Sequence, residues 1–235
     1  MEKEVCNRIK SICYKDENIF RKYYRYSNDP SVDREGKIAN ILLKEEFPVA
    51  KHYKTGYSDE KQMRFNEFDF VEINSITEDD IDKEVVSKAL SLIKHLQKVK
   101  YVEDGYWNSY YEKDLIRCLE YSPNLKNDSI KLLAEIKNYP KMFLHGDFSL
   151  KNFGYRANTK DLFLYDFQTA CNGPIDWDIA YFMATLSIPY SNLFEYDERI
   201  LAMIKLITAV RLGRGSRRNI ELKRRSEIQE YWWSK

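Results

Sequence analysis

Three polar side chains in one stretch of the chain have the types and spacing to handle a metal-bound phosphate. Asp147 follows the short apolar run Met142 to Leu144, Asn152 stands five positions later at the head of Phe153 to Arg156, and Asp166 closes Leu162 to Tyr165. Read as strands, the three runs fix the backbone from which these side chains project, and the loops at their ends are where a sheet presents reactive groups. A hairpin of the last two runs would gather the three side chains at one end of the sheet. Phosphoryl transfer from a nucleoside triphosphate needs little more than this: a carboxylate to orient the attacking hydroxyl, oxygen ligands for magnesium, and a cation on the phosphates. Asp147 suits the first role. Asn152 and Asp166 supply an amide and a carboxylate oxygen, both acceptable to a hard ion such as Mg²⁺.

The elements that must position these residues fall into two textures. Asn7 to Tyr26 reads as a β-hairpin turning at Lys15 to Asn18, followed by a helix capped at Ser31 or Asp33 and ending near Glu46, before Pro48. Short strands are predicted over Val49 to Tyr53 and Phe68 to Ile73. Beyond Asn74 the pattern turns helical: Thr77 to Val99, Ser129 to Asn138, Trp177 to Leu186, Glu195 to Leu212 and Asn219 to Trp233, with the β-rich island of Met142 to Phe167 between them. The prediction is an α+β chain with a small sheet-and-helix unit at 1–74 and a larger, mainly helical unit at 75–235.

His145-Gly146-Asp147 with Asn152, then Asp166, resembles the aminoglycoside phosphotransferase and choline kinase superfamily, the small-molecule branch of the protein-kinase-like fold. The spacing also follows the kinase catalytic loop H-R-D-x-x-x-x-N with its downstream metal aspartate, and glycine in place of arginine after His145 points to the small-molecule branch. The resemblance implies that Asp147 is the catalytic, hydroxyl-orienting residue, that Asn152 and Asp166 are magnesium ligands, and that His145 supports the loop. A second stretch, Gly173-Pro174-Ile175-Asp176-Trp177-Asp178-Ile179-Ala180, is similar to the family's glycine turn and helix start, and implies that Asp178 caps or buttresses that helix against the loop.

More weakly, Ile19 to Tyr24 resembles the strand bearing the phosphate-binding lysine, and Arg34-Glu35 the helix bearing its ion-pair partner. This implies a Lys22–Glu35 pair, with Lys51 as the alternative lysine, and a hinge near Phe70 to Ile73 where backbone at Glu72 and Ile73 would bind the adenine. ATP, with GTP as the alternative nucleotide, and Mg²⁺ are the implied cofactors. One departure stands out: the first of the eight glycines is Gly36, so no glycine-rich loop precedes Lys22. Cys6-Asn7-Arg8 would then end a loop of another type, with the first strand short or missing.

Composition bounds the partners. Thirty-eight basic against thirty-seven acidic residues leave a net charge of +1, so no global field recruits nucleic acid or anionic membrane. Cys6, Cys13, Cys118 and Cys171 lack metal-ligand or CxxC spacing and read as ordinary thiols. Met1 to Val5 carries no apolar signal core and no run is long enough to span a bilayer, so a cytoplasmic location is expected. Arg211, Arg214, Arg217, Arg218, Lys223, Arg224 and Arg225 alternate with acidic residues as on a solvated helical face. Trp232-Trp233 reads as terminal-helix packing rather than an aromatic cage for a quaternary ammonium, and His52 and His95 as structural or surface residues. The expectation is transfer of the ATP γ-phosphate to a hydroxyl of an aminoglycoside, choline-like amino alcohol or sugar. The missing glycine loop motivates the alternative, a catalytically weak kinase-like protein that binds nucleotide or ligand.

Overall fold

The computed structural model describes residues 3–7, 10–26, 30–101, 107, 112–121, 123–159, 161–186, 196–218 and 231–233. The α+β class expected from the sequence is the one observed. The chain forms two compact units: Met1–Ile76 joined by Lys151–Ala170, and Thr77–Leu150 joined by Cys171–Lys235. A single boundary at 74/75 therefore misplaces residues 151–170. They return to the first unit because a strand there pairs with residues 73–75, a ladder between distant segments that no local pattern announces.

In the first unit, strands β1 (Lys3–Asn7), β2 (Ser11–Asp16), β3 (Ile19–Tyr24), β4 (His52–Ser58) and β5 (Met63–Asp69) make an antiparallel sheet in the order β1-β2-β3-β5-β4. The hairpin expected around residues 15–18 is β2–β3, closed at Asp16↔Ile19. A first strand is present: β1 pairs along β2 with a bulge between Glu4 and Cys6. The β4–β5 hairpin lies several residues from the strands predicted at 49–53 and 68–73. As an edge strand with Lys54, Thr55, Gly56 and Ser58, β4 carries little of the apolar alternation that marks a half-buried strand.

Helix α1 (Ser31–Lys44) packs Val32, Ile38, Ala39 and Leu42 onto this sheet. Neither Ser31 nor Asp33 caps it. Pro30 holds the N-cap position, Ser31 is buried inside the helix, and Asp33 in the first turn pairs with Arg64. A close approach of helix to sheet is possible because residue 36 is glycine; a Cβ there would lie 2.6 Å from His52 Nε2. A second, three-stranded sheet joins β6 (Ile73–Ser75) to β8 (Phe153–Arg156) and β9 (Leu162–Leu164).

The second unit is built on helices α2 (Lys83–Leu96), α3 (Glu112–Leu119), α4 (Pro123–Ile136), α5 (Trp177–Thr185) and α6 (Glu198–Arg218), with a two-stranded ribbon of β7 (Lys141–Leu144) and β10 (Cys171–Pro174). Helix α2 starts at Asp82, whose carboxylate accepts from Val85 N; Thr77 instead caps a separate 3₁₀ turn through Asp80. The Gly173-Pro174 segment, read as a turn, is strand: Cys171 pairs with Leu144 and Pro174 with Lys141. Its proline sits at the strand end, where its missing N–H is tolerated.

Trp232 is buried and meets Tyr196 and Tyr231 edge-on, so it packs the interior as expected and offers no open aromatic face. Tyr231–Trp233 is helical, while the rest of the helix predicted from residue 219 lies outside the described residues, as do Lys223, Arg224 and Arg225. Among the described residues no helix is long and apolar enough to cross a membrane.

The junction of β6 and β8 yields a stability test. A Cβ on Gly154 would lie 2.5 Å from the Asn74 carbonyl oxygen, and backbone cannot swing aside as a side chain can. Gly154→Ala is expected to lower unfolding stability by about 1–3 kcal/mol, the usual range for overpacking, read as a lower urea midpoint with unchanged slope.

Candidate active site

Lys22 occupies the centre of β3, on the sheet face that α1 covers. Its Nζ donates to both Glu35 carboxylate oxygens at 3.0 Å and to Asp166 Oδ1 at 2.9 Å. The contact follows from local geometry: Lys22 and Tyr24, two apart on a strand, point to the same face, and Glu35 sits one turn into the helix above them. Burial alone would strip the Lys22 ammonium of its proton more easily, but Asp166 and Glu35 outweigh that effect and raise its pKa above the ordinary lysine value. Burial pushes the Glu35 carboxyl up, with Lys22 pulling the other way and Asp166 adding to the rise. Lys51, the alternative lysine, is exposed and lies over the Tyr53 ring.

The pair extends into a buried network that sequence reading missed. Tyr24 donates its hydroxyl to Glu35 and accepts from Asn66 Nδ2 at 2.9 Å, while Asn66 also donates to the Val32 carbonyl of α1 at 2.8 Å. His52 and Thr55 close on Asn66 Oδ1 from β4, at 3.3 and 2.6 Å, which gives His52 a structural place. Burial and the neighbouring Glu35 carboxylate raise the Tyr24 phenol pKa well above its ordinary value. The step of two from Lys22 to Tyr24 was the available signal; Asn66 lay in a strand whose limits were misjudged.

A cavity of about 430 Å³ opens beside Lys22 within this unit. Its walls combine apolar groups such as Phe20, Ala39 and Val49 with Lys22, Glu35 and Asp166, apolar surface with polar groups among it, as small-molecule sites tend to have. The predicted hinge, 70–73, lines it. The Glu72 carbonyl there accepts from Ala157 N at 3.0 Å, and Ile73 pairs with Arg156 in β6–β8, so part of the backbone capacity assigned to adenine serves the small sheet.

The hairpin of β8 and β9 brings Asn152 and Asp166 to one end. Phe153 pairs with Leu164, and Tyr165 N donates to Asn152 O at 3.0 Å, placing the two residues at neighbouring positions just beyond the ladder. Asp166 takes left-handed backbone, φ 68°, a region that aspartate tolerates better than bulkier residues. The donor set is one amide and one carboxylate oxygen. It fits Mg²⁺, which keeps several waters and phosphate oxygens and needs only one or two protein ligands. Among the described residues no group of three or more His, Cys, Asp or Glu forms a metal cage.

Asp147, His145 and Asp178 lie in the second unit. Gly146 takes φ 81°, where a side chain would be strained, and turns the chain from β7 into the half-buried Asp147. The Asp178 carboxylate accepts from His145 N at 2.7 Å and from Gly146 N at 2.9 Å. It therefore buttresses the loop and does not cap α5, whose N-cap position is Asp176. Burial raises the Asp178 carboxyl pKa, opposed by His145 and by the two N–H donors. His145 is fully buried; its Nδ1 accepts from Asp147 N at 3.3 Å, and its ring meets Phe148 edge-on.

The sequence profile of the phosphotransferase enzyme family, APH, matches residues 15–200. No curated protein matches the sequence. Among solved structures, amicoumacin kinase hAmiN in complex with AMP-PNP, Ca²⁺ and Ami aligns with a TM-score of 0.70 at 12% identity, over 98% of this chain and 86% of that one. Choline kinase LicA from Streptococcus pneumoniae aligns at 0.65 and 11% identity, over 100% and 92%. Plasmodium vivax ethanolamine kinase aligns at 0.64 and 14%, over 98% and 82%. At these identities the likeness is one of fold, and the fold is kinase-like.

Two substitutions probe the networks. Asp178→Ala leaves two buried N–H groups without their acceptor and is expected to remove about 2–6 kcal/mol of stability, at about 1–3 kcal/mol for each orphaned donor, measured by chemical denaturation. Tyr24→Phe removes the hydroxyl between Glu35 and Asn66 and is expected to lose about 1–3 kcal/mol on the same ground, with the same readout.

Proposed function

Because the chain belongs to the phosphotransferase enzyme family, we propose that it transfers the γ-phosphate of ATP to a hydroxyl of a small molecule. The observation that carries this reading is the Lys22 ammonium, held by Glu35 and Asp166 in the wall of the 430 Å³ cavity. A cation fixed in this way is a ready partner for nucleotide phosphates, and the apolar remainder of the cavity suits a purine. GTP is the alternative nucleotide, in keeping with an aminoglycoside 2′-phosphotransferase of similar fold that was solved with GDP.

In this reading Asp147 accepts a hydrogen bond from the acceptor hydroxyl and aims its oxygen at the γ-phosphorus. As the P–O bond to the acceptor forms and the bond to the leaving ADP oxygen breaks, the hydroxyl proton passes to Asp147. Asn152 and Asp166 would hold magnesium, which supplies charge neutralisation to the phosphate oxygens when bound. Asp178 and His145 keep the backbone of the Asp147 loop in place, and Lys22 orients the phosphates. Acceptors worth testing first are choline, ethanolamine and aminoglycosides, the substrate classes named for proteins of this fold.

The test is ADP release from ATP and Mg²⁺ across such a panel of alcohols. Turnover is expected with at least one acceptor, and Asp147→Ala is expected to reduce it by about a thousandfold or more while circular dichroism stays native, in line with loss of a group acting in the transition state. Full activity in that variant would remove Asp147 from the mechanism. ATP with Mg²⁺ should also raise the melting temperature, and a nucleotide present at 100 times its Kd adds about 2.7 kcal/mol. A melting shift without any acceptor-dependent ADP release would favour the nucleotide-binding alternative.

A further inference from the structure

Cys6 on β1 and Cys13 on β2 are cross-strand partners, and both line the cavity beside Lys22. Directly opposed residues of an antiparallel pair share a sheet face, with Cα atoms about 4.5–5.5 Å apart. A disulfide requires Cα atoms about 4.4–6.8 Å apart, so this register suits one. The row continues across the sheet, since Cys13 pairs with Lys22 and Lys22 with Asn66. Both cysteines are thiols, Cys13 buried and Cys6 half-buried. Of the four cysteines, Cys118 and Cys171 are buried in the second unit, and no strand pairing brings them together.

We propose that Cys6 and Cys13 are a thiol modification site: peroxide joins them into a reversible disulfide that staples β1 to β2 and restricts nucleotide entry to the cavity. The chemistry is balanced by the oxidant. The Cys6 thiolate attacks one peroxide oxygen, the O–O bond breaks, and a sulfenic acid and one water result. The Cys13 sulfur then displaces the sulfenic oxygen as a second water, forming the S–S bond. Two thiols lose two electrons and two protons, and peroxide gains them. A dithiol reverses the reaction by thiol–disulfide exchange. Cys6 is the entry point because it is the more exposed of the two, and Cys13 resolves the sulfenic acid. The bond ties β1 to β2 on the same sheet face as Lys22, at the part of the cavity wall that the two cysteines form. The effect on nucleotide entry rests on the proposed reading of the cavity, while formation of the bond does not.

The full chain is treated with hydrogen peroxide, alkylated, digested without reduction and mapped by mass spectrometry. A peptide pair linked through Cys6 and Cys13, lighter by two hydrogens and absent after dithiothreitol, is expected; Cys6→Ser and Cys13→Ser should each abolish it, and Cys118→Ser should not. Only overoxidised or separately capped Cys6, with no linked pair, would overturn the proposal. For the regulatory part, the ATP–Mg²⁺ melting shift of the oxidised chain should fall at least twofold and recover with dithiothreitol, while Cys6→Ser keeps its own shift under peroxide. A linked chain with an undiminished shift overturns the regulation. No shift in the reduced chain instead overturns the nucleotide reading of the cavity and leaves the linked-peptide result standing.

Discussion

The ammonium of Lys22, enclosed by Glu35 and Asp166, is the constraint on which the first unit turns. It ties the middle strand of the sheet to the helix that follows it and to the end of the β8–β9 hairpin, which lies far along the chain from both. Such a buried arrangement is a poor source of stability. The desolvation penalty is several kcal/mol for each ion, and apolar replacements of buried ion pairs in other proteins have been neutral or stabilising by about 1–4 kcal/mol. What the triad provides is position: a charge that cannot wander, in a cavity wall, with its proton secured by two carboxylates.

Around that charge the sheet carries a row of polar side chains on its covered face, Cys6, Cys13, Lys22, Asn66 and Thr55, one on each strand in register. Each demands a partner, and α1 supplies several of them through Glu35 and the Val32 carbonyl. Helix and sheet must approach closely for this, which is the work of the missing side chain at Gly36. A leucine-lined interface would be more forgiving of small displacements. This one specifies a single seating of the helix, because a shifted register would strand buried polar groups. In the second unit Asp178 plays a comparable part on a smaller scale, fixing two successive N–H groups of the loop that leads to Asp147.

Legibility in the sequence followed the range of the interactions. The positions of Asp147, Asn152 and Asp166 beside strands could be read directly because they are local: Asp147 and Asp166 follow short apolar runs and Asn152 precedes one, and the runs are strands β7, β9 and β8. Helix α2 was visible for the same reason, through its apolar stripe, whereas α5, buried on nearly every side, carries none. Lys22 and Glu35 are brought together by helix-on-sheet packing, so only the family resemblance pointed to them. Tyr24 and Asn66 stayed hidden because a tyrosine and an asparagine in strands have many uses. The limits of β4 and β5, the strand β10 and the return of residues 151–170 to the first unit depend on pairings with distant segments or on polar edge strands, which leave no periodic signature.

The pairing of β6 with β8 also bears on how the chain is made. Ile73 to Ser75 emerges from the ribosome long before Gly154 to Arg156, its partner segment. During that interval the five-stranded sheet and α1 can assemble, but Lys22 has only one of its two carboxylates and the cavity lacks the wall that Phe163 to Phe167 supplies. Synthesis from the N-terminus therefore leaves the first unit unfinished until residue 170 has been added, with all of α2, α3, α4 and β7 translated in between. A fragment ending at residue 76 corresponds to this nascent stage and not to a transplantable module, and release of the chain at that point would expose the edge of β6 to non-native pairing.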